Sequence, residues 1–412
     1  MIDEPTPAPA TRDTARGDSG LPEGAAPHAS RTKALWALVP LGLLAVLIAL
    51  FLVTDPLSPL GVAAPPLEQV TVERTVLDDA GITLFVRADG SEPITIAQVQ
   101  VDGAYWQFTQ TPAGPLGRLQ TARLDIPYPW VTDETHHIVI LSRAGVPFQH
   151  TVEVAVPSPT RSPSRLLAYG LLGIYVGVVP VGLGLLFYPY LRTLGRRGLS
   201  FLMALTVGLL SFLLVDTLLE GLELAAGAAV AFQGPALVWL AALLTFVILF
   251  ALGRRGGAAP EGAALASYLA LGIGWHNLGE GLAIGASFAS GQAALGSFLV
   301  IGFTLHNITE GIAIAAPLTR QRVRFGTFVL LGLLAGAPAV FGTWLGAYAF
   351  SPQWAALFMG IGAGAILQVV VEVSASLLRG SRRQGTFVTG PAMAGFVLGA
   401  MVMYGTALLV NV

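Results

Sequence analysis

Long apolar runs, short polar breaks and one interval of alternating residues divide this chain. Residues 1–33 carry Pro, Ala, Thr and charge with no hydrophobic period, which predicts a disordered tail. Ala34 to Val53 is an apolar run long enough to cross about 30 Å of hydrocarbon. Arg31 and Lys33 precede it and place the tail in the cytoplasm. Val62-Ala63-Ala64 resembles a signal-peptide cleavage site, but the run is too long and its leader too extended for that reading. A retained anchor is expected.

Residues 65–157 change period. Val70-Thr71-Val72-Glu73, Ile82-Thr83-Leu84-Phe85-Val86 and Ile94-Thr95-Ile96-Ala97-Gln98-Val99 alternate as half-buried strands do. His137 to Leu141 and His150 to Val156 continue the pattern, separated by turns such as Asp102-Gly103 and Ala144-Gly145. Six or seven short strands in this interval predict a small all-β, sandwich-like domain. Its place after the anchor makes it extracytoplasmic, and Pro157, Pro159 and Pro163 mark a linker over 158–165.

From residue 166 to 412 eight apolar spans are expected: 166–188, 199–223, 235–252, 264–289, 293–318, 325–349, 354–378 and 389–411. Arginines fall in alternate loops only. Arg192, Arg196 and Arg197 share one loop, Arg254 and Arg255 another; Arg320, Arg322 and Arg324, then Arg379, Arg382 and Arg383, fill the rest. The intervening loops contain no Lys or Arg. The positive-inside rule then puts both ends of the eight-span unit outside the cytoplasm, C-terminus included.

Composition sharpens this picture. Of 412 residues 54% are hydrophobic and 11% charged, whereas a soluble domain carries about a quarter charged residues. A polytopic α-helical membrane protein in contact with lipid, in the cytoplasmic membrane, is the fold class that follows. Cysteine is absent, which excludes disulfides and thiolate metal sites. The net charge of −2 gives no reason to expect nucleic acid.

The chemistry is concentrated in two copies of one motif. His276-Asn277-Leu278-Gly279-Glu280-Gly281 is followed by His306-Asn307-Ile308-Thr309-Glu310-Gly311. In each, His and Glu stand four apart and share a helix face. Both histidines fall about 18–20 Å into their spans, near mid-membrane. Consecutive spans run antiparallel, so one motif repeated in the same chain direction implies a pseudo-twofold axis in the membrane plane. That symmetry brings His276, Asn277, Glu280, His306, Asn307 and Glu310 toward one point. Buried carboxylates without a basic partner need protons or bound cations. Two Glu and one divalent ion sum to zero charge, and mixed imidazole–carboxylate ligands suit Zn, Fe, Mn, Co or Ni. Asp216 and Glu220 repeat the i, i+4 spacing, and Gln368 precedes Glu372 by one turn. These four are candidates for secondary metal or proton sites, or for polar contacts between helices. Every Arg after the linker lies at a loop or helix end, so no basic partner is expected for the acids within the spans. His136, His137 and His150 could capture metal in the β-domain or could be packed and solvated strand residues.

The paired HNxxEG motif on the fourth and fifth of eight spans resembles the ZIP (Zrt/Irt-like) divalent-metal transporters, closest to the branch whose motif reads HNxPEG. Asp216-Thr217-Leu218-Leu219-Glu220 and Val369-Val370-Val371-Glu372 also resemble stretches of that branch, and the likeness covers roughly residues 165–412. The resemblance implies an eight-helix inverted repeat, homodimers, and elevator-like movement of Zn, Fe or Mn toward the cytoplasm. It places metal ligands at His276, Asn277, Glu280, His306, Asn307 and Glu310, in a binuclear-like site. Gly279 and Thr309 stand where the branch has proline, and Ala337 where it commonly has a glutamate of the second metal position. The loop from Gly253 to Gly262 lacks the His-rich run of many members.

Transport of divalent metal, zinc foremost, is the function expected, with no catalytic residue and no cofactor beyond the transported ion. A non-transporting metal sensor acting through the β-domain, and an intramembrane metal hydrolase, are the alternatives. The partner of the β-domain is not indicated.

Overall fold

The computed structural model describes residues 31–54, 67–159, 162–255, 260–289, 293–382 and 389–410. The tail before Arg31, residues 160 and 161 of the linker, the 290–292 loop and Val62-Ala63-Ala64 lie outside the described residues. The chain separates into two units, Met1–Pro65 and Pro66–Val412. In the first, helix α1 (Arg31–Thr54) covers the expected anchor and contains Pro40.

The second unit begins with eight strands. They are β1 (Val70–Asp78), β2 (Gly81–Ala88), β3 (Ile96–Val101), β4 (Ala104–Trp106), β5 (Thr109–Thr111), β6 (Thr121–Ile126), β7 (His136–Ser142) and β8 (Pro147–Val152). They make two antiparallel sheets, in the orders β1-β2-β6-β5 and β4-β3-β7-β8. Leu84, Val86 and Leu124 of one sheet and Val99, Ile138 and Ile140 of the other share one core. The alternation seen in the sequence is thus an inward apolar face with polar positions outward. Between Val72 and Arg74 the β1–β2 register shifts, leaving Glu73 as an extra residue on β1.

Helices follow. α2 (Pro163–Gly173) starts with Pro163 at its first position and with the Ser162 hydroxyl accepting from Arg165 N–H. It continues through a π-helical turn, Ile174–Val178, into α3 (Val179–Leu186) and the short α4 (Tyr188–Leu191). Then come α5 (Arg196–Ala226), a 3₁₀ turn at Val230–Phe232, α6 (Gly234–Gly253), α7 (Gly262–Ala289) and α8 (Ala293–Ala315), which ends in a 3₁₀ turn. α9 (Phe325–Gly336), α10 (Pro338–Ala349), α11 (Pro352–Arg382) and α12 (Gly390–Val410) complete the chain. Six helical stretches among the described residues are long and apolar enough to cross a membrane. α7 is not one of them despite its 28 residues. His276, Asn277 and Glu280, set near its middle, lower its hydropathy.

The helices pack as two groups. α7 and α8 lie with the interrupted helices α2–α3 and α9–α10, while α5, α6, α11 and α12 pack on one another. α11 also runs against α7, forming a seam between the groups. Two prolines explain the interruptions. Pro180 and Pro338 lack an N–H and cannot close the helix bond to the preceding turn, so each exposes backbone carbonyls to other partners. At the first, Val179 N–H reaches back five residues to Ile174, which defines the π turn.

Candidate metal centre

Each motif helix docks through the glycine that closes its motif. A Cβ on Gly281 would stand 2.2 Å from the Ala339 carbonyl oxygen of α10, and one on Gly311 2.2 Å from that of Val181 in α3. Only glycine permits either backbone approach. α7 therefore lies on α10 much as α8 lies on α3. The asparagines repeat this parallel. Asn307 Nδ2 donates to the Val176 carbonyl at 3.0 Å, the carbonyl that Pro180 leaves without its i+4 donor. Asn277 Nδ2 donates to the Ala335 carbonyl at 3.0 Å, in the turn before Pro338.

The two motifs meet at Glu280. Its Oε1 accepts from His276 Nε2 at 2.8 Å and from His306 Nε2 at 2.5 Å. Its Oε2 accepts from Asn307 Nδ2 at 3.1 Å. The imidazole rings are 6.1 Å apart by centroid, and Phe303 packs edge-on against His306. His276, Asn277, Glu280, His306, Asn307 and Glu310 are all buried.

The metal-ligating atoms of His276, Glu280 and His306 all lie within 4.8 Å of one another. A tetrahedral zinc with bonds of about 2.1 Å separates neighbouring ligand atoms by about 3.4 Å. Starting from 2.8 and 2.5 Å, the two imidazoles need withdraw from Glu280 by less than about 1 Å. Around this triad the Oδ1 atoms of Asn277 and Asn307 and both carboxylate oxygens of Glu310 are buried with no hydrogen-bond donor. Glu310 is near enough to interact with Glu280 and Asn277. All four unpartnered atoms are acceptors, and buried acceptors normally have partners. A cation would supply what they lack.

The secondary candidates are placed differently. Asp216 and Glu220 on α5, in the other helix group, are close enough to feel the charges of His276 and His306 and of Glu280, respectively. Asp216 is exposed and Glu220 half-buried. They face the centre across the seam without joining the triad. Gln368 is fully buried with both amide atoms unpartnered, standing over Gly272 of α7.

Glu372 corrects the sequence expectation that the intramembrane acids have no basic partner. Its Oε1 accepts from Arg254 at 3.0 Å. Arg254 does lie just past the end of α6, as expected, but its side chain reaches back along the helix and stacks on Phe250 at 4.7 Å. Ala337 is the residue between α9 and α10 and brings no ligand atom to the centre.

The β-domain histidines belong to other networks. Asp102 Oδ2 accepts from Tyr128 at 2.7 Å and pairs with His136 Nδ1 at 2.8 Å, while its Oδ1 accepts from His137 N–H. Burial works against ionisation of Asp102, but these donors outweigh it and hold the carboxyl below the usual range. The same bond pushes the Tyr128 hydroxyl up to about 12. His150 Nε2 is 2.8 Å from the Thr75 hydroxyl, joining β8 to β1, and burial lowers its pKa.

No protein-family model matches this chain, and no curated protein matches it either.

Proposed function

We propose that the chain carries divalent transition-metal ions across a membrane, zinc being the best fit, by alternating access to the centre at His276, Glu280 and His306. One observation carries this reading. Two buried imidazoles converge on one carboxylate oxygen, ringed by four buried oxygen acceptors that no protein donor serves. The donor set is mixed nitrogen and oxygen, which suits borderline divalent metals better than magnesium or calcium. Metal takes the atoms that now hold protons between imidazole and carboxylate, so binding releases protons and weakens as pH falls.

Transport is supported over storage or catalysis by the setting. α7/α9–α10 and α8/α2–α3 repeat one arrangement of motif helix, closing glycine, asparagine tether and proline-interrupted partner. We read this as an inverted repeat about the centre, a device of secondary transporters. With α12 and the full length of α7 included, the bundle is read as eight spans, in line with the resemblance to ZIP transporters. The ligands sit in one helix group, facing Asp216 and Glu220 of the other across the seam. Sliding one group against the other would expose the centre to each side in turn. The arginine pattern of the loops puts the β-domain outside, and the resemblance to ZIP transporters gives the direction as inward. Ala337 argues for one metal rather than two.

The test is zinc and manganese uptake into proteoliposomes, comparing the native chain with Glu280→Ala/Glu310→Ala. Flux in the native chain that the folded double variant lacks is the expected result. Metal binding without flux from the native chain refutes transport and leaves a sensor; metal-dependent substrate turnover would make it a hydrolase.

A further inference from the structure

Two adjacent residues of β1 hold helices from the two groups. α10 ends and α11 begins across the two residues Phe350–Ser351, so a helix C-terminus and a helix N-terminus stand side by side beneath the β-domain. Arg74 Nη1 donates to the Tyr348 carbonyl at 2.9 Å, among the last carbonyls of α10. Glu73 Oε1 accepts from Gln353 Nε2 at 2.9 Å, in the first turn of α11. Each charge matches the helix end it meets, cation at the C-terminus and anion at the N-terminus. Strand neighbours ordinarily point to opposite faces. The register shift at Glu73 relaxes that alternation and lets both side chains reach the helices.

The two grips are built differently. On the side of α5, α6 and α11, Glu73 also receives both Nε and Nη2 of Arg87, whose guanidinium lies 5.4 Å over the Phe232 ring. Asp89 Oδ2 accepts from Val230 N–H at 2.6 Å in the same inter-helix turn. On the side of the ligand-bearing helices, Arg74 holds the Tyr348 carbonyl and is steadied 5.4 Å over the Phe85 ring. α10 is in turn locked onto α7 at Gly281, so a pull on its end reaches the helix of His276 and Glu280.

We propose that the β-domain is a strap, mounted on the α5–α6–α11 group and closed onto the ligand-bearing group by Arg74, which holds the two groups in the arrangement seen here. This rests on the transport reading for its purpose but not for its measurement. Movement of the ligand-bearing group away from this mount breaks the Arg74–Tyr348 bond.

The chain has no cysteine, so paired spin labels at Arg197→Cys on α5 and Arg324→Cys before α9 report the separation of the groups without background. The experiment compares the full chain in nanodiscs, without metal, with Arg74→Gln and with Gln353→Leu, which loosens the strap from the helix side and leaves the sandwich untouched. Arg123→Gln, in an exposed ion pair on β6, is the control. Loss of one charge-assisted bond shifts the balance of arrangements by roughly ten-fold. A second distance is therefore expected in Arg74→Gln, a smaller one in Gln353→Leu, and none in the control. One unchanged distance in both strap variants overturns the proposal. Absence of metal flux in every protein, with the second distance present, refutes transport and leaves the strap standing.

Discussion

Glu280 and Glu310 hold the same place in the two motifs, yet their surroundings make them opposite cases. Glu280 accepts three hydrogen bonds, from His276, His306 and Asn307. Glu310 accepts none. In Glu280→Gln the amide oxygen can still take the two imidazole donors, but its NH₂ then meets the Asn307 NH₂, donor against donor. One charge-assisted bond is lost outright and two lose their charge assistance, a cost of about 2–4 kcal/mol to the metal-free protein. Glu310→Gln breaks no bond and should change that stability by less than about 1 kcal/mol. Metal affinity should fall in both, because each substitution removes a negative charge from a buried cation site. A hundred-fold loss or more is expected for Glu280→Gln, roughly ten-fold for Glu310→Gln. The assay is thermal unfolding in detergent with a chelator present, alongside cobalt titration followed by its visible absorption. Equal destabilisation of the metal-free protein by the two substitutions would refute the reasoning, whatever happened to metal affinity.

Two further outcomes follow from the packing and from the β-domain. Gly281→Ala and Gly311→Ala each force α-helices apart by about 1 Å and should cost about 1–3 kcal/mol with loss of cobalt binding. Gly302→Ala, with nothing within 4 Å of its new Cβ, should be neutral or slightly stabilising in the same thermal assay. His150 has a native pKa below its unfolded value of 6.5, so the unfolded strands take up the proton first. The stability it contributes is complete above pH 6.5 and is lost as pH falls toward the native value. Hydrogen exchange of β1 and β8, corrected for intrinsic rate, should therefore rise between pH 7 and pH 5, and His150→Gln should flatten that rise.

Much of this was legible in the chain. Period-two alternation marked β1, β2, β3 and β7, because inward positions there are filled by Val, Ile and Leu. β4, β5 and β6 are not among the runs named from the sequence; β4 and β5, at three residues each, are too short to show a period. The helix runs were legible because lipid-facing and core-facing positions are both apolar. The spans 166–188 and 325–349 read as continuous in the sequence, whereas Pro180 and Pro338 interrupt them, and no local signal says that Asn307 will claim a carbonyl freed 131 residues away. The Arg254–Glu372 pair, across 118 residues, was invisible for the same reason. Sequence symmetry also misled in one respect. It treats the motif carboxylates as equals, whereas tertiary placement gives Glu280 every donor and Glu310 none.

The proline interruption beside α8 has a consequence for how the centre could be tuned. Val176 offers its carbonyl to Asn307 because Pro180 cannot claim it, and the same Asn307 amide steadies Glu280. One oxygen atom therefore ties helix shape to ligand placement. A straighter α2–α3 would withdraw that acceptor and set the amide free to turn; a bent one keeps it engaged. What is recognised is backbone, so the bend and not the identity of the side chain presents the acceptor. The curvature of a helix that contributes no ligand thus becomes part of the coordination chemistry.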